Sequence, residues 1–189
     1  MLTGWLPTPT KKPWIKKYYL SHEPGEIMDL TGLNFAEIIG TQSGDVIKVS
    51  DSTNVTISSA GGGDIIDAIN MTGTIKAGGD ADLVNAMNFD GVLDLGAGDG
   101  DMAFVENSHL TLNGAGGADI LDVKNSTGTI NAGTGGDILS LTNFSGIVDL
   151  GNDGDADLIS IYGSMDGITL RNFDETDGDV LFFYPDLNA

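Results

Sequence analysis

Gly114-Ala-Gly-Gly-Ala-Asp119-Ile-Leu-Asp-Val123 is answered 18 residues later by Ala132-Gly-Thr-Gly-Gly-Asp137-Ile-Leu-Ser-Leu141. Both runs carry a turn of small residues, an Asp, and two apolar positions behind it. Working outward, the figure recurs at Asp101, Asp82 and Asp64 on one side and at Asp157 and Asp179 on the other. From Asp64 to Asp179 the steps are 18, 19, 18, 18, 20 and 22 residues. It extends back to Gly44-Asp45-Val46-Ile47 and, more faintly, to Gly25-Glu26-Ile27-Met28. Self-similarity at a fixed period of this size marks a solenoid and outranks any local reading.

One coil needs two short strands. The first follows the Asp, as in Asp64-Ile-Ile-Asp-Ala68 or Asp157-Leu-Ile-Ser-Ile161. The second also alternates apolar with polar residues: Val55-Thr-Ile57, Leu93-Asp-Leu95, Leu110-Thr-Leu112, Val148-Asp-Leu150. Period-two alternation buries one face and wets the other, and Val, Ile and Thr suit that pleated surface. The outward residues of the second strand read as Thr56, Thr74, Asp94, Thr111, Thr129, Asp149 and Thr169, with Thr there as a strand former. Between the strands lies a second turn, Asn-x-x-Gly, at Asn70–Gly73, Asn88–Gly91, Asn125–Gly128 and Asn143–Gly146. Gly supplies positive φ there, Asn tolerates it, and stacked Asn side chains are expected to pair as a ladder. Phe35, Phe89, Phe144 and Phe173 each follow an Asn, and are expected either as exposed aromatics along one edge or as local packing. The expected fold is all-β: a right-handed parallel β-solenoid, β-roll-like, with two short strands per 18–20-residue coil and about eight to nine coils. Residues 1–24 read as an N-terminal arm or cap that does not continue the solenoid, 25–181 as the solenoid, and 182–189 as a C-terminal cap.

Composition narrows the partners. The chain carries a formal charge of −20, and Lys11, Lys12, Lys16 and Lys17 are half of its eight basic residues. The acidic body repels nucleic acid and anionic membranes, so neither is an expected partner, and it attracts cations. There is no Cys, and no apolar run is long enough for a transmembrane helix. Residues 1–20 lack the apolar core of a cleavable signal peptide.

The Gly/Asp turns resemble the nonapeptide repeat of the RTX family, G-G-x-G-x-D-x-U-x with U apolar. The likeness is clearest in Gly114–Leu121 and Ala132–Leu139 and covers roughly residues 40–181. In that family stacked turns hold Ca²⁺ between coils through the Asp carboxylate and turn carbonyls. The resemblance implies at most a single row of ions here, because the Asn turn replaces the signature on the other edge. The candidate ligands are Asp80, Asp82, Asp99, Asp101, Asp119, Asp137, Asp155, Asp157, Asp177 and Asp179. Four of these carboxylates stand two residues before another, and stacking such pairs about 4.8 Å apart without cations is repulsive. The competing reading is that Gly-x-Asp is good turn chemistry with its carboxylates facing water.

Catalysis is not expected. Lys48, Lys76, Lys124 and Arg171 are scattered singly, His22 and His109 have no evident nucleophile partner, and the acidic figure repeats where an active site should break it. Residues 1–24 instead offer an anchor for a protein partner: Trp5, Lys11, Lys12, Trp14, Lys16, Lys17, Tyr18 and Tyr19 are aromatic and basic. The architecture is similar to phage decoration, head-fibre and tail-fibre solenoids. The leading expectation is a non-enzymatic structural or adhesive subunit of a virion or extracellular surface, with homo-oligomers possible. A secreted Ca²⁺-binding module comes second and a carbohydrate-active β-helix enzyme a distant third.

Overall fold

The strands behind the Gly/Asp turns stack in register as one row. It comprises β2 (Ile27–Thr31), the start of β4 (Val46–Ser58), the start of β5 (Ile65–Gly79), β6 (Leu83–Met87), β8 (Met102–Glu106), β10 (Ile120–Lys124), β12 (Ile138–Thr142), β14 (Leu158–Tyr162) and β16 (Val180–Tyr184). The second row holds β1 (Lys16–Tyr19), β3 (Asn34–Ile39), the ends of β4 and β5, β7 (Asp90–Ala97), β9 (His109–Asn113), β11 (Thr127–Asn131), β13 (Ser145–Asp149) and β15 (Ile168–Arg171). Neighbours in both rows pair in parallel. The molecule is thus a parallel β-solenoid of about nine coils, without a helix among the described residues. This computed structural model describes residues 15–20, 27–98 and 100–185.

The core follows from the alternation. In the first row the second and fourth strand positions point inward: Ile47 and Val49, Ile66 and Ala68, Leu121 and Val123, Leu139 and Leu141 are all at most 1% exposed. The second row meets them with Ile57, Ile75, Leu93, Leu112, Ile130 and Val148, all fully buried. Each buried Leu, Ile or Val contributes about 1.5–3 kcal/mol, so every coil brings its own share of the core.

The Asn turns form as expected. Asn70, Asn88, Asn107, Asn125 and Asn143 take φ between 49° and 53°. The side-chain ladder is present in segments. Asn88 Nδ2 donates to Asn70 Oδ1 at 2.8 Å, Asn70 Nδ2 to Asp51 Oδ1 at 2.8 Å, and Asn143 Nδ2 to Asn125 Oδ1 at 3.0 Å. One step beyond the Asn, side chains turn inward. There Ser108 Oγ accepts the Phe89 N–H at 3.0 Å, and Ser126 Oγ accepts the Ser108 N–H at 3.0 Å. Phe89 and Phe144, at 1% and 3% exposure, occupy this inward position as core residues. Of the four Phe weighed as an exposed edge, only Phe35 is exposed and Phe173 is half-buried.

Three expectations are corrected. Residues 1–24 do not all stand outside the solenoid, because β1 pairs with β3 in parallel from Lys16↔Ala36 to Tyr19↔Ile39 as its first rung. At the other end, β16 pairs with β14 through Tyr184, so the coil runs past residue 181. The outward file of the second row contains Val92 and Ile147 rather than Asp94 and Asp149. The register sets Thr74↔Val92↔Thr111 and Thr129↔Ile147↔Thr169, because the Gly of each Asn turn itself occupies a strand position.

Candidate functional site

The feature that most needs a chemical account is the Asp of each Gly/Asp turn. Asp45, Asp64, Asp82, Asp101, Asp119, Asp137, Asp157 and Asp179 are none of them more than 7% exposed. Their carboxylates do not face water, which corrects that reading of the turns. The Gly-rich turn folds the chain inward just before the first strand, so the Asp at its end points into the coil.

There the carboxylates form a row. From Asp45 to Asp157, each backbone N–H donates to Oδ1 of the Asp one coil on, at 2.7–3.0 Å. The backbone carbonyl of each of these Asp residues accepts from the residue after the next Asp, as Leu83 N–H to Asp64 O at 2.8 Å. Every Asp therefore joins neighbouring coils through both backbone and side chain. The ends are closed within their own turns. Thr41 N–H donates to Asp45 Oδ2 at 2.7 Å, and Asp174 N–H to Asp179 Oδ2 at 2.8 Å.

At three places along the row the second oxygen is left over. Oδ2 of Asp82, Asp101 and Asp137 is buried without a hydrogen-bond partner. Burial disfavours the ionised form of such a group, and a like charge one coil away disfavours it further. Desolvation, opposed by the backbone hydrogen bond and reinforced by neighbouring carboxylates, raises the pKa of Asp82 and of Asp137 to about 7. Asp157 is raised to about 6, and Asp64 and Asp101 are also raised, with desolvation the largest cause in each. A protonated carboxyl still offers its carbonyl oxygen to the next N–H while removing the repulsion. The row can thus act as a column of neutral acids pinning coil to coil.

The Asp pairs expected to hold Ca²⁺ are split. Asp82, Asp157 and Asp179 lie inside, whereas Asp80, Asp155 and Asp177 are exposed. Asp80 Oδ2 accepts the Gly62 N–H at 3.0 Å, and Asp99 lies outside the described residues. Asp119 and Asp137 belong to the inner row with no acidic partner two residues earlier. Ca²⁺ takes six to eight oxygens. In the inner row one carboxylate oxygen per coil accepts an N–H. Among the described residues no group of three or more His, Cys, Asp or Glu side chains is placed to hold a metal.

The anchor residues divide too. Trp5, Lys11, Lys12 and Trp14 lie outside the described residues. Tyr18 packs against the core, and the exposed Lys17 pairs through Nζ with Glu37 Oε2 at 2.7 Å. Tyr19, 62% exposed, and Lys16 remain on the surface. On the second face a hollow of about 280 Å³ is lined by Asp90, Val92, His109 and Thr111 where Gly91 and Gly128 lack side chains. His109 Nδ1 lies 2.8 Å from Thr127 Oγ1.

Sequence reasoning missed that Asp45 and Asp64 belong to the same inner row, although the repeat itself carried them. It also missed the closing contacts from Thr41 and Asp174, which no periodicity announces. Compared with protein families, curated proteins and solved structures, the chain matches none.

Proposed function

We propose that this chain is a non-enzymatic structural subunit of a larger assembly, a decoration, fibre or surface-layer component of a virion or extracellular surface. In this reading it presents an acidic solenoid and docks through the aromatic and basic residues before β1. The observation that carries the proposal is the unbroken rung sequence from β1 to β16. Core, Asp row and Asn turn repeat together, and nine rungs at about 4.8 Å make a rod of about 40 Å. Such a chain spaces and presents surfaces. Trp5, Lys11, Lys12 and Trp14 supply anchoring residue types ahead of the first rung in the sequence, and Tyr19 and Lys16 are exposed residues of the same types on the rung itself.

The secreted Ca²⁺-module reading has less support, because the turns use their Asp side chains on backbone N–H groups. The RTX likeness is then one of turn sequence: small residues admit the tight bend, and Asp closes it.

The test is where the native protein resides. Antibody against the solenoid, applied to fractions of the source material, should find the chain in sedimenting particles, and a chain lacking residues 1–14 should stay in the supernatant. A full-length chain found only in the supernatant, or a truncated chain that sediments equally well, overturns the proposal.

A further inference from the structure

The core accounts for the second apolar residue behind each Asp but not for the first. That first residue points outward in every first-row strand. The register aligns Ile27, Val46 and Ile65, continues through Ile120 and Ile138, and ends at Val180, with an apolar residue at all nine rungs. Ile27 is 63% exposed, Ile65 41%, Ile138 45% and Val180 42%. The third and fifth positions add Ile69, Met87, Phe104, Tyr162, Phe182 and Tyr184, all exposed. Tyr162 and Tyr184 stack with ring centroids 4.8 Å apart, holding one end of this face flat.

Scattered apolar surface residues need no explanation, but a contiguous patch does. Nine rungs of five residues cover about 40 Å by about 16 Å, or about 600 Å² in flat projection. That approaches the roughly 800 Å² per partner of a standard interface. The charge pattern is equally particular. In a chain of net charge −20, the outward positions of this row hold four carboxylates and two lysines. Lys48 Nζ lies 3.6 Å from Asp67 Oδ2 and Lys124 Nζ 2.7 Å from Asp122 Oδ2, so two of the four are compensated within the face. A second, equally acidic molecule meets little repulsion here.

We propose that two copies of this chain pack face to face through the outer surface of the first row. A file of side chains repeating once per rung over nine rungs needs an opposing surface of the same repeat to interdigitate along its length, and a second copy has it. Sheets packed this way sit about 10 Å apart with their inner side chains interleaved. The inference rests on the fold and not on the assembly reading: a soluble dimer and a particle-bound dimer use the same face.

The full-length chain is examined by sedimentation equilibrium between about 1 and 100 μM, a range chosen around micromolar affinity. The expected species has twice the 19.6 kDa mass of one chain. Ile65→Lys with Ile138→Lys should weaken the dimer at least about tenfold, since a lysine would be buried without a partner. Thr56→Lys with Thr129→Lys, on the other face, should leave it unchanged. Should the first pair fail to fold, the absence of Cys permits a second measurement. Maleimide labelling of Ile120→Cys should slow as protein concentration rises, while that of Thr111→Cys should not. A monomer throughout the range overturns the proposal and leaves the face to a different protein. So does a dimer indifferent to the Ile65 and Ile138 substitutions, or equal concentration dependence at the two cysteines.

Discussion

An Asp inside a protein usually needs a cation, and here it has a backbone amide. Asp82 shows what that requires. Its Oδ1 accepts the Asp64 N–H at 2.7 Å, its Oδ2 is buried without a partner, and its pKa is raised to about 7. The position demands an acceptor of carboxyl shape more than it demands a charge. Asp82→Asn keeps that acceptor, whereas Asp82→Ala leaves a buried N–H unpaired, a loss of about 1–3 kcal/mol before any cavity is counted. Urea denaturation at pH 7 should therefore show Asn within about 1 kcal/mol of the native chain and Ala clearly below both. Equal loss in the two variants would mean that the charge, and not the acceptor, holds the coils.

At the scale of the element, the turns are set by how closely one coil lies on the next. Gly91, the last residue of an Asn turn, has φ 154°, and a Cβ there would run into the carbonyl of Gly73 one coil back. Gly100, in a Gly/Asp turn, has φ 86° with open space around it. Gly91→Ala should then destabilise by about 3 kcal/mol or more, and Gly100→Ala by about 1 kcal/mol, the penalty of positive φ alone. Thermal melting of the two variants distinguishes them, and similar losses would discount the contact between coils. The strands and turns were legible because apolar alternation and the Gly and Asn positions are local signals repeated coil after coil. Direction was harder to read. Asp-Ile-Leu places three consecutive side chains in, out and in, and nothing in the trio tells Asp119 from an exposed turn residue until the turn geometry is known. The file of Thr56 and its neighbours was misjudged at Val92 and Ile147 for a related reason: Gly91 and Gly146 stand in register where Val55 stands in its own coil, so Leu93-Asp-Leu95 lies two positions further along the strand than the matching Val55-Thr-Ile57 suggests. Lys16–Tyr19 lacks the Gly/Asp signature because it is a rung of the second row, whose pattern is only alternation. The outward Ile file stood in plain sight as the first of two apolar residues, but hydrophobicity alone assigns both to the core.

For the whole molecule, the buried row makes stability depend on protons with a sign opposite to that of most folded proteins. Asp82 and Asp137 are raised to about 7 and Asp157 to about 6, against 3.8 for an unperturbed Asp. Between about pH 4 and 7 the folded chain therefore binds more protons than the unfolded one. The stability these groups contribute is fully present below the unfolded pKa and is lost as pH rises through the folded values. The net charge of −20 acts in the same direction, since self-repulsion in the compact rod eases as carboxylates are protonated. A salt-bridged acidic protein behaves oppositely, gaining stability above pH 4 as its carboxylates ionise. Melting followed by circular dichroism in EDTA should thus give a β-rich chain whose Tm is higher at pH 5 than at pH 8, with the steepest decline between about pH 5 and 7, where the folded row holds protons that the unfolded chain has lost. Asp82→Asn combined with Asp137→Asn should flatten that decline, because an amide carries no proton to lose. A Tm that rises from pH 5 to 8, or a double variant with the native slope, would place the pH dependence outside the Asp row. A chain unfolded in EDTA would show that cations, not protons, neutralise the column.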